Sequence, residues 1–368
     1  MTRASWRTFA REVTREIAAT IDVFLASRKL GRSPSFWRPG WSRRPTFGAV
    51  SDVRLKGPVD AIVTWVDSTD RRWAAARDAE AARVGRDRDG RESWREHHDG
   101  GMLRYALRGL ARHAPFVRNV HLVTEGHVPA WLARDAEGLR VVEHGSIFRD
   151  GTHLPTFNSL AIESHLADIE GLSESFLYVN DDVCLLEDTV AGDFFDGDGR
   201  PRVFLDHTPF RKFERRPADP FVAMLERTAR LLSERVPGRD RPEFTHNHGV
   251  SAHAREVHRR LWATFGDELE RTSASRFRSA DDFALVSVAA PHASLAWGFG
   301  VPGRIPTALV ELHGDAAVDD ETLALVAKYS PTVVCINSAT DEASWARARA
   351  WLDVRLPIPS RFERDVVD

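Results

Sequence analysis

The chain has 368 residues, a formal net charge of -3 and 42% hydrophobic residues, enough apolar material for one large core or two lobes sharing a cleft. The near-neutral charge argues against a general nucleic-acid binder, and the two cysteines, Cys184 and Cys335, lie in apolar strand-like runs and argue against a disulfide framework. No apolar run approaches the ~18 residues that cross a bilayer, and no signal peptide stands out, so the expectation is a cytoplasmic enzyme.

Residues 1–30 read as a helix. Trp6, Phe9, Val13, Ile17, Ile21 and Phe24 recur near a 3.6 period, with Arg3, Arg7, Arg11 and Arg15 on the other side. Such a helix packs on the body or on a second subunit, or rests on anionic lipid as a peripheral membrane contact. Residues 31–57, including GRSPSFWRPGWSRRP, read as an irregular linker. The expected division is therefore an N-terminal extension over 1–57 and a main domain over 58–368.

From residue 58 strands alternate with helices. VDAIVTWVD is a strand run ending at Asp67, and GMLRYALRGLARHAP is a helix stopped by Pro115. VRNVHLVTEG and LRVVEHGSIF hold the next two strands. NSLAIESHLADIEG is a short helix capped by Asn158 or Ser159 and ended by Gly171. SFLYVNDD is a fourth strand and RPRVFLDH a fifth. A mostly helical insertion spans about 210–275, interrupted by VPGRDRPEF. The alternation predicts an α/β fold with a mainly parallel, doubly wound sheet and helices on both faces. Ligands of such sheets bind beyond the carboxyl ends of the strands, where Asp67, Asp181 and Asp182 all fall.

Asp181 and Asp182 follow a buried strand, with Asn180 beside them. Adjacent carboxylates at a strand end are costly without a partner, and a divalent cation carrying a diphosphate supplies one; the plain alternative is a pair of solvated loop acids. Glu163 lies one helical turn after Ser159, on the same face. Arg104 and Arg108, four residues apart on one helix, either clamp phosphate or line a solvated face. FTHNHGVSAH gathers His246, Asn247, His248 and His253. A His-x-His pair can hold zinc, but no third ligand stands near it, and one histidine as general base for an acceptor hydroxyl fits better. SRFRSADDF brings Arg276 and Arg278 beside Asp281 and Asp282, where an arginine neutralises a phosphoryl group or pairs with its neighbours.

Taken together these strings resemble the Stealth family of sugar-phosphate transferases, which includes bacterial capsular polysaccharide phosphotransferases and is similar in its core to the metazoan N-acetylglucosamine-1-phosphotransferase. Four blocks occur in family order. They are VDAIVTWVDSTD; the span from GMLRYALRGLARHAP through LPTFNSLAIESHL to FLYVNDDVCL; HNHGVSAHAREVHRRL running to RFRSADD; and VVCINSATD followed by LPIPSRFE. Four positions, Ser68, Met102, Val250 and Ser338, depart from the family pattern.

The resemblance implies a glycosyltransferase-A-like fold and a Mg²⁺ or Mn²⁺ ion on Asp181 and Asp182. It places His248, Glu163 and Arg278 as catalytic residues, with His246 the other register for the base. Asp67, Arg104, Arg108, Asn158, Asn180, Asn247 and Arg276 are the substrate-binding candidates. The implied reaction moves a hexosamine 1-phosphate from a UDP-sugar, UDP-N-acetylglucosamine first among them, to an oligosaccharide or polysaccharide acceptor, with release of UMP. A conventional glycosyltransferase releasing UDP and a non-catalytic polysaccharide-binding module are the rival expectations. No nucleic-acid partner is expected, and a homo-oligomer is compatible with the N-terminal helix.

Overall fold

The computed structural model describes residues 57–85, 100–206, 209–213, 219–237 and 240–364, together with Asp22, Ala26 and Leu55. The helix expected over 1–30 and the linker over 31–57 thus lie outside the described residues, apart from Asp22, Ala26, Leu55 and Gly57. No helix among the described residues is long and apolar enough to cross a membrane.

The central strand β1 (Val59–Thr64) is buried along nearly its whole length, as its β-branched, apolar sequence dictates. It pairs in parallel with β2 (Val117–Thr124) on one side and β4 (Ser175–Asn180) on the other. β3 (Leu139–Glu143) extends the sheet parallel to β2, and β7 (Ser251–Ala254) closes it antiparallel to β4, giving the order β3-β2-β1-β4-β7. Successive residues of β1 point to opposite faces. Ala61 and Val63 join Leu177 and Val179 against Leu103, Leu107 and Leu110 of α2 (Met102–His113), the helix that follows α1 (Arg71–Arg83). Ile62, Phe176 and Tyr178 pack on the other face against Ile162, Leu166 and Ile169. The expected mainly parallel sheet with helices on both faces is therefore present.

A second sheet, in the order β5-β10-β9, was not expected. β5 (Val183–Leu185) runs antiparallel to β10 (Val333–Ala339), which lies parallel to β9 (Thr307–Leu312). Helix α2 lies between the sheets, its Met102 and Tyr105 packing with Cys184, Val334 and Ile336. Gly109 of that helix sits on β5 so closely that a Cβ would fall 2.7 Å from the Leu185 carbonyl oxygen.

Three element expectations need correction. RPRVFLDH contributes only a two-residue strand, β6 (Arg202–Val203), paired with β8 (Val301–Pro302) in a separate ribbon. It cannot extend the main sheet, because β7 already occupies the free edge of β4. The segment 210–275 does hold helices, Pro220–Arg235 and Arg255–Ala274, but β7 interrupts them. The short helix capped by Asn158 is α3 (Ser159–Glu163) and stops well before Gly171. Ser164 Oγ donates to the Leu160 carbonyl there, and a 3-10 turn, Leu166–Asp168, follows.

Candidate active site

β1 and its parallel neighbour β4 end side by side, Thr64 opposite Asn180. Asp67 therefore emerges on the same rim as Asp181 and Asp182. The Asp67 carboxylate accepts from the Thr69 N–H at 2.9 Å and the Thr69 hydroxyl at 2.6 Å, while its own N–H donates to His127 Nε2 at 2.6 Å. Beyond Asn180 the chain leaves the main sheet and enters the second one at β5. Asp181 and Asp182 form the corner, which the Ile336 N–H pins by donating to the Asp182 carbonyl at 3.0 Å. Asp182 is buried and Asp181 half-buried.

The antiparallel pairing of Tyr178 with Ser251 carries the preceding loop back past the end of β4. His248, three residues before Ser251, is exposed and stands at the Asp182 corner. Single donor atoms of Asp182, His248 and Cys335 lie within 4.8 Å of one another. His246 is turned inward instead, with Nδ1 on its neighbour's carbonyl, that of Asn247, at 2.7 Å and its ring edge-on to Phe204. Burial pushes its pKa down to about 4. Asn247 donates through Nδ2 to Thr307 Oγ1 at 3.2 Å. His253 lies within β7, stacked on Phe176 and bonded to Ser251 and His258, a core position.

A second group of side chains gathers around Glu163. Tyr178, inward on the same sheet face, donates to Glu163 Oε1 at 3.3 Å and lies 3.0 Å from Thr64 Oγ1. Burial pushes the Glu163 carboxyl up to about 7, against the pull of the Arg278 guanidinium and the Tyr178 hydroxyl. Arg278 Nη2 donates to Ser159 Oγ at 2.7 Å. A carboxyl ionising near neutrality, an arginine and two hydroxyls thus occupy one place, arranged for handling protons and anions.

The remaining candidates hold the scaffold. Asn158 is fully buried; its Oδ1 caps α3 at Leu160 N, and its Nδ2 donates to Asp282 Oδ2 at 2.9 Å. Arg276 donates to the carbonyls of Pro155 and Thr152 at 2.7 and 2.8 Å. These bonds fasten the loop that delivers Ser159 to the loop that delivers Arg278. Arg108 and Arg104 are engaged by the C-terminal segment. Arg108 makes a bidentate pair with Glu363 at 2.8 and 2.9 Å, buried on both sides, and donates to the Leu356 carbonyl. Arg104 lies 3.4 Å from the same carboxylate and over the Trp131 ring. Both arginines hold the C-terminal segment, whose Phe362 is fully buried.

Sequence reasoning missed Tyr178 and Cys335. Tyr178 was read only as strand, although period-two alternation puts its hydroxyl on the Ile162 face, where a buried O–H needs a partner. Cys335 reaches the corner through the pairing of β10 with β5, about 150 residues apart in sequence, which no local pattern reveals.

The donors that meet at the corner are one carboxylate, one imidazole and one thiol, those of Asp182, His248 and Cys335. Carboxylate oxygen suits Mg²⁺ and Mn²⁺, whereas imidazole and thiolate suit softer divalent ions.

Fold and site together define an α/β protein with an acid- and arginine-lined site at the carboxyl edge of its parallel strands. The family models for Stealth protein CR2, conserved region 2, and Stealth protein CR3, conserved region 3, match residues 96–203 and 247–293. The chain belongs to the Stealth family. It is 37% identical over 338 residues to an exopolysaccharide phosphotransferase of Streptomyces coelicolor, covering 90% of this chain and 56% of that one. It is 48% identical over 107 residues to the N-acetylglucosamine-1-phosphotransferase subunits alpha/beta of Homo sapiens, 29% of this chain and 8% of that one. The chain spans about half the length of the curated Streptomyces relatives it matches. Among solved structures, the galactosyltransferase LgtC with donor and acceptor sugar analogues matches 82% of this chain and 97% of its own at 13% identity and a TM-score of 0.36, a likeness too remote to add to the assignment.

Proposed function

We propose that this protein transfers a sugar 1-phosphate, a hexosamine 1-phosphate from UDP-N-acetylglucosamine in the first instance, to a hydroxyl of a surface polysaccharide, releasing UMP. The observation that carries the reading is the meeting of two groups at the ends of β1 and β4: acids and His248 at one corner, Glu163 with Arg278 and Ser159 at the other. The names of the Stealth relatives, phosphotransferases of exopolysaccharide, support it.

Asp181 and Asp182, with His248 adjacent, would hold Mn²⁺ or Mg²⁺, and the bound ion would supply charge neutralisation to a pyrophosphate. Arg278 presents a planar guanidinium, oriented by the Ser159 hydroxyl, which matches two phosphoryl oxygens at once. His248, the exposed histidine of its loop, takes the proton of the attacking acceptor hydroxyl. Glu163, when ionised, sets a negative charge near Arg278; when protonated, it withdraws that charge. Attack at the β-phosphorus leaves the anomeric configuration untouched, and catalysis is mostly positioning and charge neutralisation.

The test is incubation with a panel of UDP-sugars, Mn²⁺ or Mg²⁺ and a saccharide acceptor, with the released nucleotide read by mass. UMP from one sugar of the panel is the expected result. UDP instead would mean a conventional glycosyltransferase, and no turnover of any donor would favour a binding module.

A further inference from the structure

A second cluster, sharing no residue with the Asp182 corner, brings together Asp150, His153 and Glu270. His153 Nε2 lies 3.8 Å from Asp150 Oδ2 and 3.7 Å from Glu270 Oε1. Asp150 caps the turn Gly151–His153, its Oδ1 accepting from the Thr152 N–H and hydroxyl at 2.8 and 2.7 Å. That leaves Oδ2 toward the histidine. Glu270 stands on the helix Arg255–Ala274, so the three donors span two separate segments.

The tautomer of His153 is set from its far side. Nδ1 lies 2.9 Å from Ser273 Oγ, and the same hydroxyl lies 2.7 Å from His165 Nε2. A hydroxyl has one proton to donate. Asp168 stands 3.5 Å from His165 Nδ1, which favours the proton on that nitrogen and makes His165 Nε2 an acceptor. Ser273 therefore donates to His165 and accepts from the His153 Nδ1–H. The lone pair of His153 Nε2 is then aimed at two carboxylates. With the ring neutral, three electron-rich atoms converge there, a set that a divalent cation would bridge.

We propose that Asp150, His153 and Glu270 form a binding site for a divalent transition metal of the zinc type. One imidazole and two carboxylates make a three-donor zinc set with an open fourth position. The hydrogen bond from the far ring nitrogen to Ser273 is the outer support that orients a metal-bound histidine. The ion clips the Gly151–His153 turn to the helix Arg255–Ala274. Chain continuing from these two segments delivers Ser159 and Arg278, and Arg276 already ties them through the Thr152 carbonyl. The metal thus braces the frame of the Glu163 site without entering it.

Zinc titration of the full, chelator-stripped chain by calorimetry tests this, with Co²⁺ absorption as a second readout. Wild type is expected to bind zinc, and Glu270→Gln, at a half-exposed position that leaves the fold intact, to weaken binding at least ~10-fold. Ser273→Ala should weaken it about 10-fold through the imidazole's orientation. Bound Co²⁺ should show d–d bands without thiolate charge transfer, which separates this site from the cluster holding Cys335. Equal zinc affinity in wild type and Glu270→Gln, or a Co²⁺ spectrum arising from a thiolate site alone, would overturn the proposal. So would absence of zinc binding.

Discussion

Burial raises the Glu163 carboxyl to about 7, so between the ordinary carboxylate range and neutrality the folded protein binds a proton that the unfolded chain has released. Stability from that protonated carboxyl is fully present below the unfolded pKa near ~4.5 and is lost as pH rises through about 7. In the proposed mechanism turnover runs the other way, because only the ionised form sets a negative charge near Arg278. Glu163→Gln should therefore stabilise the fold at pH ~8 by on the order of 1–3 kcal/mol, read by urea denaturation. It should also lower kcat and abolish the rise of kcat through neutrality. A pH profile unchanged by the substitution would remove Glu163 from the account. The histidines separate in the same way. His248→Ala is expected to lose at least ~10²-fold in kcat with donor KM nearly unchanged, whereas His246→Ala should cost stability first, its ring being packed on Phe204. Loss of kcat in His246→Ala alone would shift the base by two residues. The paired carboxylates were legible as a strand-end signal, whereas His248 and Arg278 were singled out within their loops only by the family resemblance. Tyr178 was not legible, because a tyrosine inside an apolar strand reads as core until the helix over it supplies Glu163.

At the scale of elements, the helix Met102–His113 is where local reading and tertiary packing part. Arg104 and Arg108 share one face, and spacing alone offered either a phosphate clamp or a solvated face. The helix is instead enclosed by two sheets and the returning C-terminus, so the face meets Glu363. Cutting a buried ion pair on one side leaves the other charge stranded. Arg108→Ala should therefore lower stability by about 3 kcal/mol in urea or thermal unfolding, with donor KM in the surviving folded fraction unchanged. A raised KM with normal stability would restore the clamp. The main sheet was legible because β1, β2 and β4 are apolar runs with helical periodicity between them, over Met102–His113 and Ser159–Glu163. The second sheet was not, since β5 has three residues and finds β10 only through a pairing distant in sequence. For the same reason RPRVFLDH looked like a fifth strand: its composition was right, but β7 had taken the edge it needed.

For the molecule as a whole, the first three sequence blocks and the VVCINSATD part of the fourth come to one rim through the topology, while LPIPSRFE packs on Arg104 and Arg108. Parallel β1 and β4 end together, the corner after β4 switches sheets, and β7 returns the histidine loop to that corner. What the N-terminal 57 residues do is a separate matter. Within them Asp22 meets Lys328 and Tyr329 at 2.5 Å each. The central claim is that the sugar leaves the donor with its phosphate attached. The direct measurement uses a UDP-sugar radiolabelled at the β-phosphorus, incubated with Mn²⁺ and acceptor, followed by separation of saccharide from nucleotide. The account predicts label in the saccharide as a phosphodiester and unlabelled UMP in the nucleotide fraction; label retained in UDP, with sugar alone on the acceptor, would contradict it.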